Sequence, residues 1–175
     1  MFAESQKKIL IAGVGHRFWQ DYSAGPVWID RLTKFDWPTG VDIKDFSFGA
    51  IAMMQNLQDV AYDRIVFLTA ESRDRTPGTL HVYRYEGGHE TPERVQQYIG
   101  EAGGGVVAID PLLSIAGYFD VLPSQTWVVE FEPIQKEWNE LDVSDLDSIF
   151  PQVVKQVRSL VAGHFPVGAE VGRDA

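Results

Sequence analysis

The feature of the sequence that most constrains the fold is the regular alternation of short apolar runs with longer amphipathic segments. Apolar runs predict strands at residues 8–14, 64–70 and 125–131, alternation predicts one at 79–86, and a further short strand is predicted at 41–45 after Gly40. Helical periodicity predicts helices at 26–35, 51–57, 92–102 and 111–119, and a last helix that begins at Pro151. Strands that alternate with helices form a mainly parallel sheet with helices on both faces. The sequence therefore predicts a three-layer α/β fold with about five strands.

The strand at 79–86 is the exception in this series because it follows its neighbour after a short turn. It is therefore the strand that we expect to run antiparallel. Leu80 and Val82 alternate with His81, Tyr83 and Tyr85, a pattern typical of a strand with one exposed face.

Length and composition limit the classes of protein to consider. The chain has 175 residues, of which 45% are hydrophobic, so we expect one α/β domain over residues 1–162 and a flexible C-terminal tail over 163–175. The net charge of −10 disfavours nucleic acid as a partner. No apolar run reaches the roughly 18–20 residues that span a bilayer, so no membrane association is predicted. The chain has no cysteine, which fits a cytoplasmic protein and excludes thiolate chemistry.

Ligand sites in such folds lie at the carboxyl ends of the parallel strands. In this chain these ends are followed by the segments 15–25, 45–49 and 69–75. Gly13 and Gly15 follow the first strand, but Phe18 stands where a dinucleotide-binding fingerprint requires its third glycine. A small-molecule or nucleotide site in this loop stays an alternative, and a tight turn explains the two glycines as well.

Serine catalysis is a second alternative, because Ser23, Ser47, His16 and Asp21 all fall in these segments. No G-x-S-x-G motif accompanies them. Serines beside turns ordinarily bond to the backbone, and we expect that role here.

The order of several motifs resembles that of the hydrogenase maturation endopeptidases. Residues 13–25, GVGHRFWQDYSAG, are similar to the family's G-[IV]-G-N loop that closes with D-[DE]-x-x-G. The further matching positions are Asp45 and Gly49, Ala70, Pro77-Gly78-Thr79, Leu122-Pro123, Pro133 and the stretch 141–154. The resemblance covers about residues 8–162.

This resemblance implies the fold and a substrate. Members of the family remove a C-terminal extension from the large subunit of a [NiFe] hydrogenase after nickel insertion. Two carboxylates and one imidazole contact the nickel of the substrate, which suits the ligand preferences of that metal. The partner implied for this chain is a [NiFe]-hydrogenase large subunit.

The chain departs from the family at all three of these positions. Tyr22 replaces the first carboxylate, Thr69 replaces the second, and the imidazole position falls at about Gly105. A neutral phenol, a hydroxyl and a glycine do not replace anionic and imidazole ligands. The sequence thus predicts no metal site at these positions and no cofactor.

A relocated catalytic site would draw on Asp21, Asp45, Glu71 and His89, which lie near the predicted carboxyl ends. Each also has a structural interpretation: Asp21 as the N-terminal cap or dipole partner of the first helix, Glu71 in a solvated loop, and His89 in an exposed turn. Asp45 is the best candidate because it ends its strand as in the family.

Large side chains near the same ends predict a surface for a protein partner. These residues are His16, Phe18, Trp19, Tyr22 and Phe48. The alternative is that the rings fold back over the first helix. Three functions therefore stay open: a homologue that binds a hydrogenase subunit without cutting it, an active nickel-directed endopeptidase with a relocated site, and a small-molecule-binding protein.

Overall fold

A computed structural model describes residues 7–87, 90–103, 108–137, 142–167 and 171–172. The strands are β1 (Ile9–Gly13), β2 (Val41–Asp45), β3 (Arg64–Ala70), β4 (Leu80–Tyr85), β5 (Thr126–Phe131) and β6 (Val171–Gly172). The α-helices are α1 (Ala24–Leu32), α2 (Ala50–Asp59), α3 (Pro92–Gly103), α4 (Ile109–Tyr118) and α5 (Ser144–Ala162), and a 3₁₀ turn, Gln20–Ser23, precedes α1.

The strands form one sheet in the order β2-β1-β3-β5-β4-β6. β1, β2, β3 and β5 run parallel, β4 is antiparallel to β5, and the two-residue β6 is parallel to β4. This confirms the mainly parallel sheet and the reversed direction of β4. None of the helices in the described part of the chain is long and apolar enough to cross a membrane.

Alternating side chains of the central strands divide the core into two layers. In β3, Ile65 and Phe67 pack with α2, α3 and α4, whereas Val66 and Leu68 pack with α1 and α5 on the other face. Burying each such side chain contributes roughly 1.5–3 kcal/mol, which fixes the helices against the sheet. The three-layer α/β prediction is confirmed.

The prediction that β4 has one exposed face is wrong. Tyr83 is 8% exposed and packs in the layer of α2, α3 and α4, while Leu80 and Val82 pack against the opposite layer. Helices cover both faces, so the alternation of tyrosine with aliphatic residues reflects a polar contact of Tyr83 and not exposure to solvent.

The predicted start of the last helix at Pro151 is also wrong, because α5 begins at Ser144 and the proline lies inside it. A proline within a helix removes one hydrogen bond and costs about 3 kcal/mol. Leu146, Ile149 and Val153 are buried on one side of α5 before and after the proline. Burial of this continuous apolar side offsets the cost of the proline.

The segment after α5 makes defined contacts with the sheet. The Arg64 guanidinium donates hydrogen bonds to the carbonyl oxygens of Leu160 (2.8 Å) and Val161 (3.1 Å) at the end of α5. Phe165 stacks on Trp127 with ring centroids 5.0 Å apart. The guanidinium carbon of Arg64 lies 4.8 Å from the centroid of the Phe165 ring. The flexibility of 163–175 and the independence of 1–162 as a domain stay predictions.

Candidate functional site

The loops that follow β1, β2, β3 and β5 meet at one edge of the sheet because these strands are parallel. They comprise residues 14–23, 46–49, 71–79 and 132–137, and we call them together the carboxyl-end rim. Residues 14–23 are the first loop. The rim, together with Asp45 at the end of β2, contains the described residues that the sequence nominated as candidates.

Two glycines set the position of the first loop. A Cβ atom on Gly13 would lie 2.5 Å from the Ile29 side chain, and one on Gly25 would lie 2.6 Å from the carbonyl oxygen of Leu68. Helix α1 therefore crosses β1 and β3 at a separation that only glycine permits. A Cβ atom on Gly15 would likewise overlap the Tyr22 carbonyl oxygen. Close packing therefore explains both glycines of the G-x-G motif, Gly13 and Gly15, without a bound nucleotide.

Asp45, the best sequence candidate, is engaged in an ion pair. Its Oδ2 accepts hydrogen bonds from Arg17 Nη2 (2.7 Å) and Nε (3.1 Å), and its Oδ1 accepts one from the Ser47 amide (2.9 Å). Arg17 also forms two hydrogen bonds with Asp30. Hydrogen bonds to Asp30 and Asp45 raise the pKa of Arg17 further above its usual value. Asp45 thus links the loop after β2 to the first loop.

Asp21 does not cap α1, and that interpretation is wrong. The side chain is buried, and its Oδ2 accepts hydrogen bonds from the amides of Ile134 and Gln135, both at 2.8 Å. Its Oδ1 is buried without a hydrogen-bond partner in the described ranges, and burial raises the pKa of Asp21. The nearby Ser23 hydroxyl donates to the Gln20 carbonyl at 2.6 Å, a turn contact rather than a catalytic one.

The centre of the rim is a buried carboxylate held by two arginines. Glu130 is fully buried on β5 and accepts hydrogen bonds from Arg73 (3.1 and 3.3 Å), Arg75 (2.8 Å) and the Tyr83 hydroxyl (3.1 Å). Arg73 also forms a bidentate pair with Asp110 at the start of α4, with both distances 2.7 Å. The loop after β3 is therefore solvated only in part: its two arginines turn inward, while Ser72, Asp74 and Thr76 are exposed.

A third cationic side chain, that of Lys136, lies beside the cluster of Arg73, Arg75 and Glu130. Lys136 Nζ donates to Ser72 Oγ at 2.6 Å and lies 3.6 Å from the buried carboxylate of Glu132. The Arg73 amide and the Ser72 hydroxyl also bond to Glu132, at 2.9 and 3.4 Å. The carboxylates of this part of the rim are thus balanced by cationic side chains of the chain itself.

Glu71 is the carboxylate with the most perturbed ionisation at the rim. Burial, followed by the charge of Asp110, raises its pKa to about 7, against the lowering effects of Arg73 and the Ile109 amide. Because the Glu71 carboxyl is largely buried, the expectation of a solvated Glu71 is wrong. At neutral pH, Glu71 is therefore protonated in a large fraction of the molecules.

We expect Glu71→Gln to make stability less dependent on pH. The folded-state pKa lies above the unfolded value of about 4.5, so wild type loses stability as pH rises from about 4.5 through 7. The full effect is about 3 kcal/mol, and Glu71→Gln removes it because the amide does not ionise. Urea denaturation at pH 5 and pH 8 measures the difference.

The exposed Glu93→Gln on α3 is the matched control for the change of charge. We expect Glu71→Gln to gain stability over wild type at pH 8 and little at pH 5, and the control to gain none at either pH. A pH-independent effect of Glu71→Gln would contradict the raised pKa.

The positions that differ from the family retain no charge. Tyr22 is half-buried, and burial followed by the charges of Glu71 and Glu132 raises its pKa, so the phenol stays protonated. Thr69 is buried at the end of β3, opposite Glu130 in the sheet register. His89 and Gly105 lie outside the described residues. Within the described ranges, no three His, Cys, Asp or Glu side chains are grouped so as to hold a metal ion.

The aromatic residues of the rim divide into two sets. Phe18 is 73% exposed and Phe48 is 78% exposed. Trp19 lies between His16 and Tyr22, with ring centroids 5.3 Å from each, and its indole N–H donates to the Lys136 carbonyl at 3.2 Å. His16, Trp19 and Tyr22 therefore form a cluster of rings at the rim, whereas the two phenylalanines are exposed to solvent.

Sequence reasoning missed Arg73, Asp110, Glu130 and Lys136 as parts of this site. One signal was present, because Glu130 interrupts an otherwise apolar run that reads as a buried strand. A buried carboxylate requires partners, and the arginines of the loop after β3 were available in the sequence. Their distance along the chain, more than 50 residues, hid the pairing.

Comparison with known proteins was made at the level of sequence and of structure. The sequence matches no protein-family model and no curated protein. In structure it is similar to an endopeptidase from Escherichia coli, with 21% identity, a TM-score of 0.67 and coverage of 93% of this chain and 95% of that one. It is also similar to the hydrogenase maturating endopeptidase HybD from Escherichia coli, with 19% identity, a TM-score of 0.68 and coverage of 89% and 93%.

A third similar structure is the hydrogenase 2 maturation peptidase from a Thaumarchaeota archaeon, with 25% identity, a TM-score of 0.59 and coverage of 91% and 100%. Coverage is high on both sides in all three cases, so the likeness extends over nearly the whole domain. The resemblance seen in the sequence is confirmed in structure: the chain has the fold of the hydrogenase maturation endopeptidases.

Proposed function

We propose that this chain is a hydrogenase maturation protease-like protein that binds a protein partner at the carboxyl-end rim without the metal-dependent cleavage of the family. The candidate partner is a [NiFe]-hydrogenase large subunit, and the cytoplasm stays the predicted location. The observation that carries the proposal is the state of the rim carboxylates. Arg17 pairs with Asp45, while Arg73 and Arg75 pair with Glu130.

The chemistry of nickel recognition supports this proposal. A nickel ion in a substrate would need anionic oxygens or a neutral imidazole, and Tyr22 and Thr69 offer neutral hydroxyls instead. To use Asp45 as a ligand, the protein would first have to break its pair with Arg17, and a guanidinium would remain beside the metal. Both effects disfavour a divalent cation at this edge of the sheet.

A relocated endopeptidase site is the second candidate, and Glu71 is the observation that favours it. A carboxyl group with a pKa of about 7 is suited to proton transfer at neutral pH. Calorimetric titration with nickel separates the two candidates. We expect no micromolar binding by the wild type. Binding that disappears in Asp45→Ala or His89→Ala, together with cleavage of a nickel-loaded large-subunit precursor, would establish the endopeptidase instead.

The two exposed phenylalanines supply the proposed partner contact. Phe18 and Phe48 stand on the loops after β1 and β2, neighbouring strands whose loops the pair of Arg17 and Asp45 holds together. Aromatic side chains at the centre of an interface commonly contribute 2 kcal/mol or more. Because Trp19 also bonds within the rim, Phe18 is the cleaner probe of binding.

We expect Phe18→Ala to weaken binding to a purified large-subunit precursor by about 30-fold, since loss of a central aromatic anchor costs about 2 kcal/mol. Biolayer interferometry measures the affinity, with precursor prepared with and without nickel. Thermal stability should remain unchanged, because Phe18 buries little surface.

Val167→Ala, at a fully exposed apolar residue after α5, is the matched control and should bind like wild type. Phe48→Ala tests the second anchor. Equal affinity of wild type, Phe18→Ala and Phe48→Ala would remove the rim as the binding surface. Dependence of wild-type binding on nickel would argue against a metal-blind homologue.

A further inference from the structure

A second surface lies away from the rim, on the outer layer of helices. A groove with a volume of about 260 Å³ runs between α2, α3 and α4. Its apolar lining includes Ile51, Met54, Ile99, Ala102, Ile115 and Phe119. Ile51 is 69% exposed, Phe119 is 50% exposed and Ile99 is 45% exposed, although each belongs to or directly follows a helix packed on the sheet. The groove has room for one or two large apolar side chains.

The exposed side of helix α2 carries unusually little charge for a surface helix of an acidic protein. It has no charged residue before its last position, Asp59, and its exposed residues begin with Ile51 and Ala52 and continue with Gln55. A helix in contact with water usually carries charges on its outer side. An uncharged outer side next to an apolar groove is typical of a protein-binding surface.

The charged residues that adjoin lining residues in the sequence are all acidic. An acidic residue follows or precedes a lining residue on each of the three helices: Asp59 follows Gln58, Glu101 precedes Ala102, and Asp120 follows Phe119. Among the residues that the structure describes, no lysine or arginine lines the groove, and none adjoins a lining residue in the sequence. An apolar occupant flanked by basic residues would therefore complement the groove in both polarity and charge.

A second copy of the chain fits this groove poorly. In a twofold dimer the same patch meets itself, so the acidic residues around one groove would face those around the other. The chain as a whole has a net charge of −10, which adds to the repulsion. The occupant that fits is a different chain with the opposite charge.

We infer that this groove binds an amphipathic helical segment of a partner protein, with one or two large apolar anchors flanked by lysine or arginine. The geometry corresponds to recognition of a helix in an apolar groove, where anchors recur at i, i+3 or i+4. This inference does not depend on binding at the carboxyl-end rim.

The test uses a fluorescein-labelled helical peptide with leucines at i, i+3, i+4 and i+7 and lysines on both flanks. A second peptide has glutamate in place of each lysine. We expect micromolar affinity for the basic peptide by fluorescence anisotropy, and affinity at least about 10-fold weaker for the acidic one. Ile51→Ser and Phe119→Ser should each weaken binding of the basic peptide about 10-fold without changing the charge of the protein.

Phe18→Ser, at an exposed apolar residue of the rim, is the matched control and should bind the basic peptide like wild type. If neither Ile51→Ser nor Phe119→Ser changes the affinity, binding is a general charge effect and the inference fails. If only Phe18→Ser weakens it, the peptide occupies the rim, which overturns this inference and leaves the proposed function standing. Sedimentation of wild type as a dimer that Ile51→Ser dissociates would identify a second copy as the occupant and would also overturn it.

Discussion

Replacing Gly25 by alanine is expected to destabilise the protein by about 3 kcal/mol or more, because overpacking against rigid backbone cannot be relieved by side-chain movement. The added Cβ would lie 2.6 Å from both the Leu68 carbonyl oxygen and the Val14 nitrogen. These atoms belong to β3 and to the end of β1, so α1 would have to move away from the sheet. That movement would disrupt the packing of Trp28 and Ile29, which are residues of α1 that lie buried in the core.

Urea denaturation of wild type and Gly25→Ala measures the loss. Gly100→Ala on α3 is the matched control, since a Cβ at that position meets nothing within 4 Å. Alanine is a better helix former than glycine, so the control should gain about 0.5–1 kcal/mol.

A stability of Gly25→Ala within 1 kcal/mol of wild type would contradict the packing explanation. The glycines in and beside the first loop would then need another explanation, and the close approach of a small molecule or nucleotide would return as the alternative. The same pair of variants thus tests both the fold and the third candidate function.

The sequence was sufficient for the features of the fold that depend on local patterns. β2 and β3 begin and end at the predicted residues. β3 is an apolar run that the sheet buries, whereas β2 alternates Val41 and Ile43 with charged residues and is half-buried. The start of α5 could not be predicted in the same way. Pro151 is a helix-start signal on its own, and only the packing of Leu146 and Ile149 against the sheet extends the helix past it.

The site was less predictable than the fold because its contacts join distant parts of the chain. Asp21 looked like a local helix cap, but its partners are amides 113 and 114 residues away. Glu71 looked solvated beside two arginines, yet those arginines turn toward Glu130 on another strand. The nominated Asp21, Asp45 and Glu71 do lie at the same edge of the sheet, as parallel strands require. What the sequence could not supply was the partner of each: two backbone amides for Asp21, Arg17 for Asp45 and the charge of Arg73 near Glu71.

The last prediction concerns Arg73, whose guanidinium is the main counterion of the rim. We expect Arg73→Met to cost about 3–5 kcal/mol, because it leaves the fully buried Glu130 with a weaker set of partners. Arg75 and Tyr83 would still bond to Glu130, but Asp110 would lose both of its 2.7 Å hydrogen bonds. Arg31→Met is the control, since Arg31 pairs with Asp147, whose side chain is 54% exposed, and such pairs contribute about 1 kcal/mol or less.

A double-mutant cycle shows whether the loss comes from the charge pair. With Glu130→Gln in the same protein, no buried charge remains to be compensated at that position, so the double variant should be less destabilised than the sum of the single variants by about 1–3 kcal/mol. Arg73→Met should also raise the pKa of Glu71, because Arg73 now lowers it, and NMR titration of the Glu71 carboxyl measures that shift. If the two single effects add and the pKa of Glu71 does not move, Arg73 is not the counterion of the rim, and the electrostatic basis of the proposed metal-free function is lost.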